Sequence, residues 1–372
     1  MRILIVTDAW FPQTNGVVRT LAQTAAWLGR FGHEVRILTP RDFRSIACPT
    51  YPEIRLSLLP GKGVARAIDA FAPQALHIAT EGPLGLAARR HCLRHGLRFT
   101  TSYHTQFPQY LRARFPIPVG ASYRALRWFH AAAVRCMVST ASVRKDLTLR
   151  GFKNLYAWRR GVDTEVFKPL PKEFLELPRP IAAYVGRVAV EKNIDAFLQM
   201  PWSGSKIVIG DGPERVRLQA QHPETVFAGY RFDQDLARHL AAADVMVFPS
   251  HTDTFGLVNL EAMACGVPVA AFPVTGPIDV IEDGVTGALD LDLAAAARRA
   301  LTLDPRTCRE RAVKSGWDVC TREFEGNLVL CRPSSAADPR AREIAHADAD
   351  ACVNRRAPDE PLPADPAGFS RS

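Results

Sequence analysis

Pro249–Pro268, PSHTDTFGLVNLEAMACGVP, is the stretch around which the chain is organised. The apolar run before it, Val245–Phe248, reads as a buried strand that delivers the chain into a polar loop, Ser250–Thr254. The spacing then predicts a helix that opens near Phe255–Gly256 and is stopped by Gly266 and Pro268. Asp253 falls in the loop, and Glu261 falls about two turns into the helix. The amides after Asp253 are first-turn donors without intrahelical acceptors, so they suit an anion such as a diphosphate. Two carboxylates beside such a site can accept hydrogen bonds from sugar or ribose hydroxyls. A plain strand-to-helix turn with a solvated Glu261 fits the same residues.

Working outward, the strand Val245–Phe248 belongs to a βα series that begins at Ile181–Val185. It runs on through Lys206–Ile209, Thr225–Ala228 and Val267–Phe272. Gly186 and Arg187 follow its first strand, with Lys192 close behind. Arg187 and Lys192 can clamp a diphosphate from two sides, or simply be surface charge. Gly210–Asp211–Gly212–Pro213 is a turn off the second strand. An earlier series has the same grammar. Ile3–Val6 reads as a strand, Asp8–Asn15 as a loop, and Gly16 precedes a helix with Val17, Leu21, Thr24, Leu28 and Phe31 at helical spacing. Gly32 ends it before the strand Val35–Leu38, which makes a βαβ unit and implies a parallel sheet. The loop TDAWFPQTNGVVRT lacks the GxGxxG dinucleotide fingerprint, but Gly16 allows close backbone approach to a ligand. Ala75–Ala79 and Arg98–Ser102 are further strands, followed by Cys136–Ser139 and Leu155–Trp158. Asp8, Glu81 and His104 each follow a strand, so all three are expected at one crevice off the strand ends. A structural role for His104 fits its position equally.

These patterns predict an α/β protein of two Rossmann-like parallel-sheet domains facing a cleft. The expected limits are an N-terminal domain over 1–168, a Pro-rich linker over 169–180, a second domain over 181–308, a closing helix over 309–330 and a disordered tail over 331–372. Trp317 and Phe324 mark the buried side of the closing helix.

Of the 372 residues, 47% are hydrophobic, enough for sizeable cores, yet no stretch is long and apolar enough to span a bilayer. The opening MRILIVTDAW reads as a first strand rather than a secretory signal. Eight cysteines occur without a CxxC pair, which favours buried thiols in a reducing compartment over a structural zinc site. Residues 1–170 carry 25 Lys and Arg against 9 Asp and Glu, a net of +16, and the remainder nets −7. A half so basic suits an anionic lipid surface, a phosphorylated acceptor or nucleic acid, or is a solvated Arg-rich surface. Within Gln109–Arg135, Arg112, Arg114, Arg124, Arg127 and Arg135 are interleaved with Tyr110, Phe115, Trp128 and Phe129. That pattern fits a membrane-surface segment or a helix docked on the sheet with snorkelling arginines. Nucleic-acid motifs are absent. Three DxD strings, Asp233–Asp235, Asp290–Asp292 and Asp348–Asp350, read as helix caps and solvated charge rather than a metal site.

With these residues in place, the chain resembles a family-4 glycosyltransferase, a retaining nucleotide-sugar transferase of the GT-B fold. The resemblance covers about residues 1–330. It rests on the NGVVRT loop, HTQFP after a strand, RRGVDTEVFKP, YVGRVAVEKNID, VIGDGPE, ADVMVFPSHTDTFGLVNLEAMACGVPVA and EDGVTG, in that order. The family pattern of an acid, seven residues and Glu falls on Asp253 and Glu261. Its first position is usually Glu, and Asp253 departs from it by one methylene, which bears on sugar identity. The TDTFG wording resembles a branch of glycolipid α-glycosyltransferases, often GDP-mannose-dependent.

The resemblance implies that Arg187 and Lys192 neutralise the donor diphosphate and that Glu261 holds the ribose hydroxyls. Asp253 and Thr254 would meet the sugar, with the amides of Phe255, Gly256 and Leu257 around sugar and phosphate. Gly16 would face the diphosphate, and His104 would lie near the sugar's reacting face. Asp8 and Glu81 would be acceptor-side residues. It implies transfer of a hexose, mannose or glucose favoured, from a GDP- or UDP-sugar to a lipid- or polyprenyl-linked hydroxyl. It also implies a cytoplasmic protein, peripheral at the inner membrane face, with no cofactor and no metal required. A GT-B nucleotide-sugar epimerase or phosphorylase, or a non-catalytic binder of anionic lipid, are the competing readings.

Overall fold

Runs such as Ile3–Val6 and Val245–Phe248 are apolar at every position, which suits parallel strands covered on both faces. The computed structural model describes residues 1–13, 15–48, 51–106, 108 and 118–332. In chain order the first strands are β1 (Arg2–Val6), β2 (Glu34–Leu38), β3 (Ser45–Cys48), β4 (Tyr51–Ser57), β5 (Ala75–Ile78), β6 (Thr100–Tyr103), β7 (Arg135–Val138) and β8 (Leu155–Ala157). Six of them form a wholly parallel sheet in the order β2–β1–β5–β6–β7–β8, and β3 and β4 pair as an antiparallel hairpin. The later strands are β9 (Ile181–Val185), β10 (Ser205–Ile209), β11 (Val226–Gly229), β12 (Val245–Phe248), β13 (Val269–Ala271) and β14 (Gly287–Leu289). They form a second parallel sheet in the order β11–β10–β9–β12–β13–β14. Each sheet reverses its order beside its first strand, at β1/β5 and at β9/β12. Loops leaving those strands diverge there and open a crevice.

The expected strands are present, with ends displaced by one or two residues. One displacement matters for the site: β6 runs to Tyr103, so the polar loop begins at His104. The hairpin β3/β4 and the three-residue β14 were not expected, because short mixed runs carry too little periodicity to read.

The single closing helix over 309–330 is corrected. Helices Pro305–Ala312 and Trp317–Asn327 are separate. Between them the chain passes against the loop after β8: Val162 N donates to Ser315 O, and a Cβ at Gly161 would lie 2.8 Å from Trp317 Cα. That close crossing requires an extended segment and so breaks the helix. The second helix returns to the first sheet and packs on helix Gly16–Arg30. There Trp317 and Phe324 are buried with Leu21, Leu28 and Trp158, as the sequence predicts. Beyond it, Cys331 N donates to Gln74 O and Arg98 N donates to Cys331 O, so the chain ends its described course on the first sheet.

The segment 169–180 is pinned to the second sheet. Lys172 and Arg179 both pair with Asp244, at 2.9 and 2.7 Å. Cys92, Cys136, Cys265, Cys308 and Cys320 are buried free thiols. Among the described residues no helix is long and apolar enough to cross a membrane. Tyr110, Arg112, Arg114, Phe115, the string Asp348–Asp350 and the tail beyond Arg332 lie outside the described residues.

Candidate functional site

Loops from the carboxyl ends of both sheets enclose a cavity of about 1320 Å³. Asp8, Gly16, Glu81, His104, Arg187, Lys192, Asp253, Thr254, Phe255, Gly256 and Leu257 all line it. Glu261 does not. It lies behind that wall, 4% exposed, beneath Arg19.

The second sheet supplies the charged side. The chain leaves β12 into the loop Ser250–Thr254 and turns into helix Leu257–Ala264 at Gly256, whose φ is +79°. A Cβ there would meet Asn259 Nδ2 at 2.6 Å and Phe248 Cζ at 2.9 Å, so glycine is needed for space as well as for backbone angle. Leaving β9, the chain makes a tight turn at Gly186 against the β10 turn. A Cβ on Gly210 would lie 1.8 Å from Gly186 O, which accounts for glycine in the GDGP turn. The two loops are then tied together: Thr252 Oγ1 donates to Glu191 O and Asn193 Nδ2 donates to Pro249 O. This brings Lys192 Nζ to 2.6 and 2.9 Å from the two Asp253 oxygens, and Arg187 to 2.5 Å from Glu191. The two cations expected to clamp a diphosphate thus both border the cavity, each resting on a carboxylate.

The first sheet supplies the other side. Asp8 is buried, and its carboxylate accepts from Thr80 Oγ1, Leu84 N and Gly85 N. It anchors the start of helix Pro83–Arg94, and burial raises its pKa despite those donors. Its oxygens are thus engaged within the fold, although the residue borders the cavity. Glu81 is more open and accepts from His130 Nε2 at 3.0 Å, while His130 Nδ1 meets Thr101 Oγ1 at 2.9 Å. Burial opposes charge on His130, but the Cys136 sulfur and the Glu81 carboxylate outweigh it and hold its pKa up to about 10.

His104 is engaged at both ring nitrogens. Arg160 Nη2 donates to Nδ1 at 3.2 Å, and Nε2 lies 2.8 Å from Ser102 Oγ. A guanidinium has only donors, so Nδ1 must accept and the ring proton sits on Nε2. Burial, followed by the Arg160 charge, drives the His104 pKa well below its ordinary value. The ring is neutral and has no nitrogen lone pair to spare for a substrate proton. Its carbonyl accepts from Thr254 Oγ1 at 2.7 Å, and Ser139 and Thr140 hydroxyls donate to Thr254 O. The loop that carries Asp253 is thereby docked on the first sheet.

Arg19, His130 and Arg160 were not singled out from the sequence. Arg19 had a readable signal: a cation in the first turn of a helix opposes the helix dipole and needs a distant partner. The others have none, because their partners come from other strands. Of the DxD strings, Asp292 caps helix Leu293–Ala300 by accepting from Ala294 N and Ala295 N. Asp233 does not cap; Phe232 holds the cap position of the helix that Asp233 opens. Among the described residues no group of three or more His, Cys, Asp or Glu is placed to hold a metal ion.

A family model described as Glycosyltransferase Family 4 matches residues 14–166, and one described as Glycosyl transferases group 1 matches residues 179–303. A GDP-mannose-dependent alpha-mannosyltransferase of Mycolicibacterium smegmatis is 30% identical over 375 residues, covering 91% of this chain and 100% of the relative. A sulfoquinovosyl transferase of Arabidopsis thaliana is 29% identical over 365 residues, covering 86% of this chain and 72% of the relative. The crystal structure of Anabaena HepE with UDP and glucose superposes with a TM-score of 0.68 at 17% identity, over 87% of this chain and 98% of that one, a likeness of fold. The two order-reversing sheets, the cleft between them and these matches agree: the chain belongs to the family-4, group-1 glycosyltransferases of GT-B fold, and it is a nucleotide-sugar-dependent enzyme acting on a hexose donor.

Proposed function

We propose that this enzyme transfers mannose or glucose, with retention, from a GDP- or UDP-sugar to a hydroxyl of a lipid-linked acceptor at the cytoplasmic membrane face. The observation that carries the reading is the two-sided cavity. One wall bears Arg187, Lys192, Asp253 and the amides of Phe255, Gly256 and Leu257. The other bears Ile54, Leu56, Leu86, Ala121, Ala125 and Trp128. Leu86 and Trp128 are 44% and 57% exposed, large apolar surface that suits the non-sugar part of a lipid acceptor. The name of the 30% identical relative favours GDP-mannose among the donors.

Arg187 and Lys192 exchange their carboxylate partners for the donor diphosphate and stabilise it as it leaves. Asp253 turns to a sugar hydroxyl, with Thr254 beside it, and Glu261 takes the ribose hydroxyls. Gly16 gives the diphosphate access to the start of its helix. The acceptor approaches past Glu81, over Asp8 and His104. Because both His104 nitrogens are engaged and Asp8 is buried in hydrogen bonds, no side chain stands out as a covalent nucleophile. The acceptor hydroxyl then attacks on the face from which the diphosphate departs and gives its proton to the leaving phosphate oxygen.

The test is transfer from radiolabelled GDP-mannose, UDP-glucose and UDP-galactose to diacylglycerol-based glycolipid and polyprenyl phosphate acceptors in detergent. Nucleotide binding is followed in parallel by thermal shift with GDP, UDP, ADP and dTDP. One donor should give an α-linked lipid product, and the matching nucleotide should raise the melting temperature in the wild type but not in Glu261→Ala. Donor conversion without any acceptor product, or transfer only to soluble sugars, would overturn the lipid acceptor.

A further inference from the structure

Glu261 is the most completely buried carboxylate around the cavity, and its two oxygens differ. Oε1 lies 2.7 Å from Arg19 Nη1, while Oε2 is buried without a hydrogen-bond partner. An unpartnered carboxylate oxygen in that position is costly unless something later satisfies it. Arg19 belongs to the opposite sheet, one turn into helix Gly16–Arg30. Gly16 and Arg19 share a helix face and both border the cavity, and Gly16 abuts Leu257. The Arg19 side chain is 38% exposed, its guanidinium lies 5.8 Å from the Phe167 ring, and Arg19 borders the cavity where Glu261 does not. A cation so near a helix start is locally unfavourable. It is repaid by Glu261, and it would also be favoured by any anion brought to that helix end.

We propose that Arg19 is an exchangeable counter-ion of the donor site: it covers Glu261 in the unliganded cleft and passes to the donor diphosphate when ribose hydroxyls take Glu261. The proposal rests on the assignment of Glu261 to the ribose. Three ion pairs at the charged side of the cavity fit the same pattern. Lys192–Asp253, Arg187–Glu191 and Arg19–Glu261 hold three cations and three acids mutually neutralised. A nucleotide sugar brings hydroxyls for the acids and phosphate oxygens for the cations. Arg19 differs from the other two cations in coming from the opposite domain, so its transfer exchanges one contact across the cleft for another. Burial raises the Glu261 pKa, and the Arg19 charge and hydrogen bond hold it back.

The experiment compares guanosine with GDP, and uridine with UDP, as ligands of the full chain by calorimetry and competition. The proteins are wild type, Arg19→Met, Arg19→Lys and Glu261→Gln, with folding followed by circular dichroism. Arg19→Met should weaken the diphosphate at least about tenfold without weakening the nucleoside, because only the diphosphate uses the guanidinium. Arg19→Lys should restore most of that loss, and Glu261→Gln should weaken nucleoside and diphosphate alike. Equal losses for nucleoside and diphosphate in Arg19→Met would mean a structural role and overturn the exchange. So would an unchanged diphosphate affinity while Glu261→Gln loses binding, which leaves the ribose assignment standing. Unchanged binding in Glu261→Gln would overturn the ribose assignment itself and the exchange with it.

Discussion

Lys192 and Asp253 are each about one-fifth exposed and lie within 2.9 Å of one another, so neither charge is screened as a surface pair would be. Replacing Lys192 with alanine removes the cation without touching a core side chain. The expected outcome is a fall in kcat/KM of about a hundredfold or more, with a melting temperature within a few degrees of wild type. Steady-state kinetics with the preferred donor, run beside calorimetric melting, checks both halves.

A second prediction at this scale concerns His130. Its pKa is held up to about 10 in the folded protein against an ordinary 6.5. A group raised on folding contributes stability that is complete below the unfolded value and is lost as pH rises through the folded one. Glu81→Gln, which removes the carboxylate partner, should therefore lower the melting temperature most at pH 6 and below. The gap to wild type should close as pH approaches 10. A gap that is constant with pH would show that the pair contributes through packing alone.

At the scale of elements, the turn into helix Leu257–Ala264 positions the charged wall. Gly256 combines a positive φ with a Cβ site already filled by Asn259 and Phe248. Gly256→Ala is expected to cost about 1–3 kcal/mol of folding free energy and to raise the donor KM, because the loop carrying Asp253 must shift. Urea unfolding and donor titration measure the two effects. Among elements, the long apolar strands and their glycine turns are legible in the sequence because backbone chemistry within a few residues dictates them. The break between Pro305–Ala312 and Trp317–Asn327 is not, because Gly161 and Val162 of a distant loop impose it.

At the scale of the molecule, polar contacts beside the Arg19–Glu261 pair and the packing of Leu257 tie the two sheets together. Thr254 docks on His104, Ser139 and Thr140, and Asp279 accepts from the Ser142 amide and hydroxyl at the outer edge. Asp279→Ala removes the outer latch and leaves the cavity wall untouched. It should enlarge the radius of gyration measured by small-angle scattering without nucleotide, and raise the donor KM a few-fold with kcat nearly unchanged. Saturating donor nucleotide should restore the wild-type radius.

The sequence by itself determined the alternation of strands and helices, the two parallel sheets and the residues that end at their carboxyl edges. Local propensity, hydrophobic period and glycine turns carry that information over short spans. It also named Arg187, Lys192, Asp253 and the amides after it, which fall together because they follow neighbouring strands of one sheet. Tertiary structure alone decided the pairings. It set Lys192 on Asp253, laid Arg19 over Glu261, tied Asp8 into a helix start and engaged both nitrogens of His104. Those partners come from different strands or from opposite sheets, and an ion pair or hydrogen bond depends on distance in space, which spacing along the chain does not encode.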